Sequence, residues 1–351
     1  IVATGTRAMR RAAVAATGGL LAASLAACGA APGGSGDSPN QLTLYNGQHE
    51  QTAQALVSAF EKQTGIRVTI RSDDETVLVQ QIAQEGSRSP ADVIYTENSP
   101  ALERLQENHL LAPVSPGTLA AIPARYSSPS GDWVGLSGRV SALVYDTSKL
   151  SPGQLPTSVM DLASPKWKGK LGLAPQETDL QPIITSIAKA DGTAAALAWL
   201  KGVKANVGSD IYPDNETLTA KVNAGQVEIG LIDHYYWYRL RAQVGAAATH
   251  SALHYFAAGD PGYVLDVSGA GVLASSTHKT AAQKFLAFMA SAAGQRIIAQ
   301  SDSFEYPLRP GVAPHPGLTP LAQLHPDTAD TIATLGDGST ALSLLQQAQL
   351  G

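Results

Sequence analysis

A chain of 351 residues with 44% hydrophobic and 15% charged side chains is long enough for two lobes and apolar enough to pack them, which excludes wholesale disorder. A formal net charge of −5, with no basic stripe, excludes an electrostatic affinity for nucleic acid and suits a cationic ligand, though weakly. The single cysteine, Cys28, excludes an internal disulfide and any Cys-rich metal cluster.

The chain opens with a targeting signal. Arg7, Arg10 and Arg11 form a basic patch, and the Ala-rich run 12–27 is too short for a good membrane span. Small residues then lead into Leu25-Ala26-Ala27-Cys28. This segment resembles the bacterial lipobox, so residues 1–28 are expected to be a lipoprotein signal peptide, with residues 1–8 lying upstream of a start at Met9. Cys28 is the expected lipidation site, two acyl chains giving a stable anchor. The Gly, Ala, Pro, Ser and Asp composition of 29–41 predicts a flexible tether.

Folding is expected from Leu42. Residues 42–45 read as a strand, broken by Asn46-Gly47, and 52–63 as a helix with Ala53, Leu56, Val57 and Phe60 on one face and Gly65 as its stop. Strands follow at 66–70 and 91–95, helices at 76–85 and 100–108. This alternation predicts an α/β fold with a mostly parallel sheet. Segments 134–138 and 142–145, separated by glycine, read as two crossover strands entering a second lobe. There, strands are expected at 170–174 and 227–232 and helices at 180–190, 193–204 and 217–223. A Gly-interrupted strand near 264–273, a helix at 280–290, and helical pattern from about Thr328 and again from Ala341 complete the chain. The layout is that of a two-lobe periplasmic-binding-protein fold of type II, with crossover hinge strands and a ligand cleft between lobes that close by a hinge. The expected limits are 42–135 plus about 266–312 for the N-terminal lobe and 136–265 plus about 313–351 for the C-terminal lobe.

In such folds the site is built just after strand ends. Four metal-competent segments lie there: Gln48-His49, Glu97-Asn98, Glu177-Thr178-Asp179 and Asp233-His234-Tyr235-Tyr236. Adjacent tyrosines reach one centre only at a turn or helix start, because neighbours on a strand face opposite ways. Phenolate is a hard donor that ionises at neutral pH only when a strong cation such as Fe(III) displaces its proton. On the residues alone, packing is the commoner role for the aromatic run 235–238. A helix-terminal carboxylate is the commoner role for Glu97, and Thr178-Asp179-Leu180-Gln181 also reads as a capping box.

The joint pattern decides between these readings. Tyr45-Asn46-Gly47-Gln48-His49, Tyr95-Thr96-Glu97, Leu136-Ser137-Gly138-Arg139, Pro165-Lys166-Trp167-Lys168, Tyr235-Tyr236-Trp237, Ser268-Gly269-Ala270 and Glu305-Tyr306-Pro307-Leu308-Arg309 resemble the bacterial periplasmic ferric-ion-binding proteins, from about Leu42 to the C-terminus. The resemblance implies Fe(III) as transported ligand, held by His49, Glu97, Tyr235 and Tyr236. It also implies an extracytoplasmic, lipid-anchored monomer, not an enzyme, that serves an ABC importer permease with its cytoplasmic ATPase. The anion pocket departs from the family. A small Ser-Gly-Ala turn that admits phosphate or carbonate is replaced by Gln176-Glu177-Thr178-Asp179; Asp233 stands where Asn is common, and Asn98 where Gln is. Asn215 matches a family anion contact. Acidic groups repel a dianion, so loss or weakening of the synergistic anion is expected, with Glu177 or Asp233 supplying oxygen. The competing functions are a polyamine or sugar receptor and, further off, a metal-dependent hydrolase using His49, Glu97 and His234; no HExxH, GxSxG or P-loop supports the latter.

Overall fold

The structure, a computed structural model, describes residues 40–326 and 335–351. The signal peptide, Cys28, the tether up to residue 39 and the start of the helix expected from Thr328 lie outside the described residues. In chain order the elements are β1 (Gln41–Gly47), α1 (Glu50–Thr64), β2 (Arg67–Ser72), α2 (Glu75–Glu85), β3 (Val93–Thr96), α3 (Ser99–Glu107), β4 (Leu111–Ala112), α4 (Pro116–Leu119) and β5 (Val134–Asp146). Then come β6 (Leu171–Gly172), α5 (Leu180–Asp191), α6 (Thr193–Val207), α7 (Asn215–Asn223), β7 (Ile229–Asp233), α8 (His234–Val244), β8 (Ser251–His254) and β9 (Leu265–Leu273). α9 (Lys279–Ala290), α10 (Ala292–Gln300), β10 (Tyr306–Pro307) and α11 (Ser339–Ala348) follow.

Amphipathic spacing places the helices. α1 buries Thr52, Ala53, Leu56, Val57 and Phe60, and the Phe60 ring lies 4.9 Å from Phe285 and 5.7 Å from Phe288 on α9. The helix stops at Gly65, whose φ of 72° is left-handed, and whose N–H donates to Glu61 O at 2.8 Å. β1 begins at Gln41, the last residue of the expected tether.

Strand order is β2-β1-β3-β9-β5-β7-β6. The sheet is mixed, which corrects the expectation of a mostly parallel one. β1 pairs parallel with β2 and β3, and β6 with β7, whereas β9 and β5 pair antiparallel with each other and with their other neighbours. The reason is the crossover: two strands that carry the chain out of one lobe and back must run in opposite directions. The two extended segments expected at 134–145 are one continuous strand, β5, buried along its whole length. Its first half pairs with β9 and β10 and its second with β7 and β8. Close approach of the crossover strands accounts for a glycine: a Cβ on Gly269 would lie 2.8 Å from Val134 O.

Two cores flank this crossing. One gathers Leu42 to Leu136, Val267 to Ile298, and Leu308. The other gathers Val140 to Val264, Phe304, Tyr306 and the C-terminal Leu344, Leu345 and Leu350. Five elements had no expectation from sequence, the short strands β4, β8 and β10 and the helices α4 and α10. α10 is separated from α9 only by Ser291, whose hydroxyl accepts from Gly294 N at the start of the second helix.

Candidate metal centre

Helix starts converge on the crossing. His49 precedes α1, Asn98 precedes α3, Asp179 precedes α5, Asn215 opens α7, and Tyr235 and Tyr236 lie in the first turn of α8. The positive ends of these helices favour anionic side chains. Adjacent tyrosines therefore sit where the sequence requires them in order to share a centre: α8 follows β7 without a gap, and their ring centroids are 4.0 Å apart.

Three of the four expected ligands meet directly and the fourth sits beside them. His49 Nδ1 lies 3.1 Å from Glu97 Oε1, and the His49 ring is 5.1 Å from that of Tyr235. Tyr235 and Tyr236 are buried, while the Glu97 side chain keeps 20% of its surface exposed. The Tyr235 hydroxyl and His49 Nε2 are buried with no hydrogen-bond partner among the described residues, although Glu305 Oε1 lies 3.6 Å from His49 Nε2. A buried hydroxyl left unpaired is costly, so Tyr235 OH beside His49 marks a place a ligand fills. Without the phenols there is no site: among the described residues no group of three or more His, Cys, Asp or Glu is arranged to hold a metal ion.

The electrostatics match. Burial pushes the Tyr235 and Tyr236 phenols well above their ordinary range, and the Asp179 charge adds to it. Burial pushes Glu97 up to about 7, opposed by the Arg139 charge. Burial lowers His49 to about 4, so its imidazole is neutral and free to ligate at neutral pH.

The acidic and amide groups around this cluster divide unequally. Asp179 is no helix cap: its backbone is already helical and its carboxylate bonds no backbone N–H of its own helix. Instead Asp179 Oδ2 accepts from Tyr236 OH at 2.8 Å and Asn215 Nδ2 at 3.1 Å, and Oδ1 from Arg139 Nη1 at 3.3 Å. Asn98 Nδ2 donates to Thr178 Oγ1 at 2.7 Å, a bond that joins loops of the two lobes. Glu177 is half-buried, and its carboxyl is pushed up to about 8 by burial and by the Asp179 charge. Asp233 is buried at the end of β7, its carboxyl pushed well up by burial, and makes no side-chain hydrogen bond to His49, Tyr235 or Tyr236. The carboxylate that meets the tyrosine pair is thus that of Asp179 rather than of Glu177 or Asp233.

His234 is structural. Val140 N–H donates to its Nδ1 at 3.1 Å, so Nε2 carries the proton and donates to Phe304 O at 2.9 Å. Sequence reasoning missed Arg139 and Glu305. Both are fully buried, and Arg139 Nη2 donates to Glu305 Oε1 at 2.9 Å. The signal that could have found Arg139 is a charged residue inside a fully buried strand. Beside Tyr236 a recess of about 640 Å³, lined in part by Gln51, Arg239 and Phe304, leads to solvent.

Residues 55–326 match the family described as bacterial extracellular solute-binding protein. The Fe(3+)-binding periplasmic protein of Serratia marcescens is 41% identical over 289 residues, 82% of this chain and 85% of that protein. The solved structure of iron-bound HitA from Pseudomonas aeruginosa superposes with a TM-score of 0.83 at 44% identity, over 88% of this chain and 99% of that one. A Trichodesmium protein (IdiA, FutA) in complex with iron and citrate superposes with a TM-score of 0.78 at 30% identity, over 89% of this chain and 100% of that one.

Proposed function

The chain belongs to the bacterial extracellular solute-binding proteins, among the ferric-ion-binding members of that family, and from that premise we propose that it is an extracytoplasmic receptor that captures Fe(III) and delivers it to an ABC importer. It acts as a carrier rather than an enzyme, as a monomer, and its partners are a membrane permease and the cytoplasmic ATPase that drives it. Iron is the cargo. Its ligands are His49, Glu97, Tyr235 and Tyr236, with Asp179 as an oxygen donor built into the chain. The observation that carries this reading is the convergence of His49, Glu97 and Tyr235, with Tyr235 OH buried and without a hydrogen-bond partner among the described residues.

Selectivity follows from proton displacement. Because burial and neighbouring carboxylates hold both phenols protonated, only a cation strong enough to displace two phenolic protons gains the full ligand set. Divalent ions meet the same cost with less charge to offset it. The lobes, 42–135 plus about 266–312 and 136–265 plus about 313–351, close on the ion about the β5–β9 crossing.

Fe(III) titration of the purified protein tests the reading. A visible phenolate-to-iron charge-transfer band is expected in the wild type. Tyr235→Phe and Tyr236→Phe, which keep the rings and remove the donors, should each weaken affinity by more than the roughly 10–100-fold typical of an outer-shell change. Undiminished affinity in both variants, or a wild type that stays colourless, overturns it. An organic ligand such as a polyamine or sugar would give no such band.

The anchor is part of the same proposal. Cleavage before Cys28 and diacylation of its thiol would hold the receptor at the membrane by lipid alone. Membrane-extracted protein is expected to begin at a lipid-modified Cys28 by mass spectrometry, and Cys28→Ser should move it to the soluble fraction. A variant that stays in the membrane fraction removes the anchor.

A further inference from the structure

One buried charge has no role in the ligand set. Arg139 lies midway along β5 with none of its side chain exposed. A guanidinium does not shed its proton, and a buried one persists only where its partners offset the lost hydration. Those partners come from three places. Nη1 donates to Glu97 Oε2 at 3.4 Å, after β3, and to Asp179 Oδ1 at 3.3 Å, before α5; Nη2 donates to Glu305 Oε1 at 2.9 Å, on the segment entering β10.

The division of oxygen atoms is informative. While Arg139 holds Oε2 of Glu97, Oε1 stays 3.1 Å from His49 Nδ1. While it holds Oδ1 of Asp179, Oδ2 takes the Tyr236 and Asn215 hydrogen bonds. In each carboxylate one oxygen is clamped by the guanidinium and the other is turned to the ligand cluster. The clamp is itself fixed by Glu305, whose Oε1 also lies 3.6 Å from His49 Nε2. Glu305 also accepts from Ser137 Oγ and, at 3.3 Å, from Gln48 Nε2, which in turn donates to Ser268 Oγ at 2.6 Å.

We infer that Arg139, anchored by Glu305, is a positioning residue that orients Glu97 and Asp179 from opposite lobes so that each offers a single oxygen to the metal. The inference rests on the iron-site reading above. A planar fork bonds several carboxylates in fixed directions, whereas a lysine at the same place is a point charge without that geometry.

The test uses the full chain with Arg139→Gln, Arg139→Lys and Glu305→Gln. Fe(III) affinity is read by chelator competition, and the ligand field by the charge-transfer band and the electron paramagnetic resonance of the loaded protein. Arg139→Gln is expected to lose roughly 10–100-fold in affinity and to shift both spectra. Arg139→Lys should restore part of the affinity but not the spectra. Glu305→Gln, which keeps the guanidinium and loosens its anchor, should shift the spectra with a smaller loss.

Arg139→Gln protein with wild-type affinity and spectra overturns the inference. If that variant does not fold, Glu305→Gln decides: wild-type affinity and spectra there overturn it equally. A wild type that never colours removes the iron reading and this inference together, whereas a coloured wild type with indifferent variants removes only this one.

Discussion

Asp179 occupies the donors that a free anion would need. Tyr236 OH, Asn215 Nδ2 and Arg139 Nη1 all end on its carboxylate. Phosphate or carbonate would have to displace a tethered carboxylate already held by three hydrogen bonds. Wild-type protein is therefore expected to take up Fe(III) in buffer free of both anions. Asp179→Ala removes the oxygen donor and frees Asn215 and Tyr236, so affinity should fall roughly 10–100-fold and recover on adding phosphate. Chelator competition with and without phosphate measures both, and a wild type that itself needs the anion would refute the assignment. The strand-end places of His49, Glu97 and the two tyrosines were legible from local pattern, whereas their ligand roles were implied only by the resemblance. Asp179 stood among the metal-competent residues, but the oxygen was expected from Glu177 or Asp233, because Thr-Asp-Leu-Gln satisfies a local capping rule and its partner Tyr236 lies 57 residues away. Arg139 and Glu305 are 166 residues apart, and no local rule connects them.

At the scale of elements, β5 and α8 do most to assemble the site. β5 runs unbroken from one core to the other and carries Ser137 and Arg139 at the crossing. Its glycines read in the sequence as a break between two strands. In the fold they lie where neighbours crowd the strand: a Cβ on Gly138 would stand 3.2 Å from Leu308 Cδ2. α8 starts directly after the last residue of β7, and His234 at its first position ties it to β5 through Val140 and to the segment before β10 through Phe304. His234 also stacks on Tyr306 at 4.9 Å. The residue next to the tyrosine pair is thus bonded to the crossover strand β5 and to the segment before β10, so the pair cannot shift without moving β5. Helix faces such as that of α1 were legible because their 3.6-residue spacing is a local property. Strand direction was not, because it depends on which lobe the chain enters next.

Protons bind the whole molecule to iron with two opposing signs. In the metal-free protein burial raises Glu75 and Glu177 to about 8 and Glu97 to about 7 from an ordinary 4.5. Across that window the native state holds more protons than the unfolded chain, and stability falls as pH rises. Burial lowers His49 to about 4 and His234 to about 3 from 6.5. Below pH 6.5 the unfolded chain gains the extra protons at these two sites, and their contribution falls as pH drops. Between pH 8 and 6.5 the carboxyls outweigh the histidines, so the Tm of metal-free protein should rise as the pH is lowered over that range.

Iron reverses the sign. With Tyr235, Tyr236 and Glu97 as the proposed ligands, loading releases about two phenolic protons, and about one more from Glu97 below pH 7. The extra stability given by bound iron follows its apparent affinity, so it shrinks on acidification. The difference in Tm between loaded and metal-free protein is therefore expected to narrow steadily from pH 8 to pH 5.5, as scanning calorimetry at fixed iron would record. A difference that widened toward acid would mean that the phenols and Glu97 keep their protons when the ion binds, and that the donors lie elsewhere.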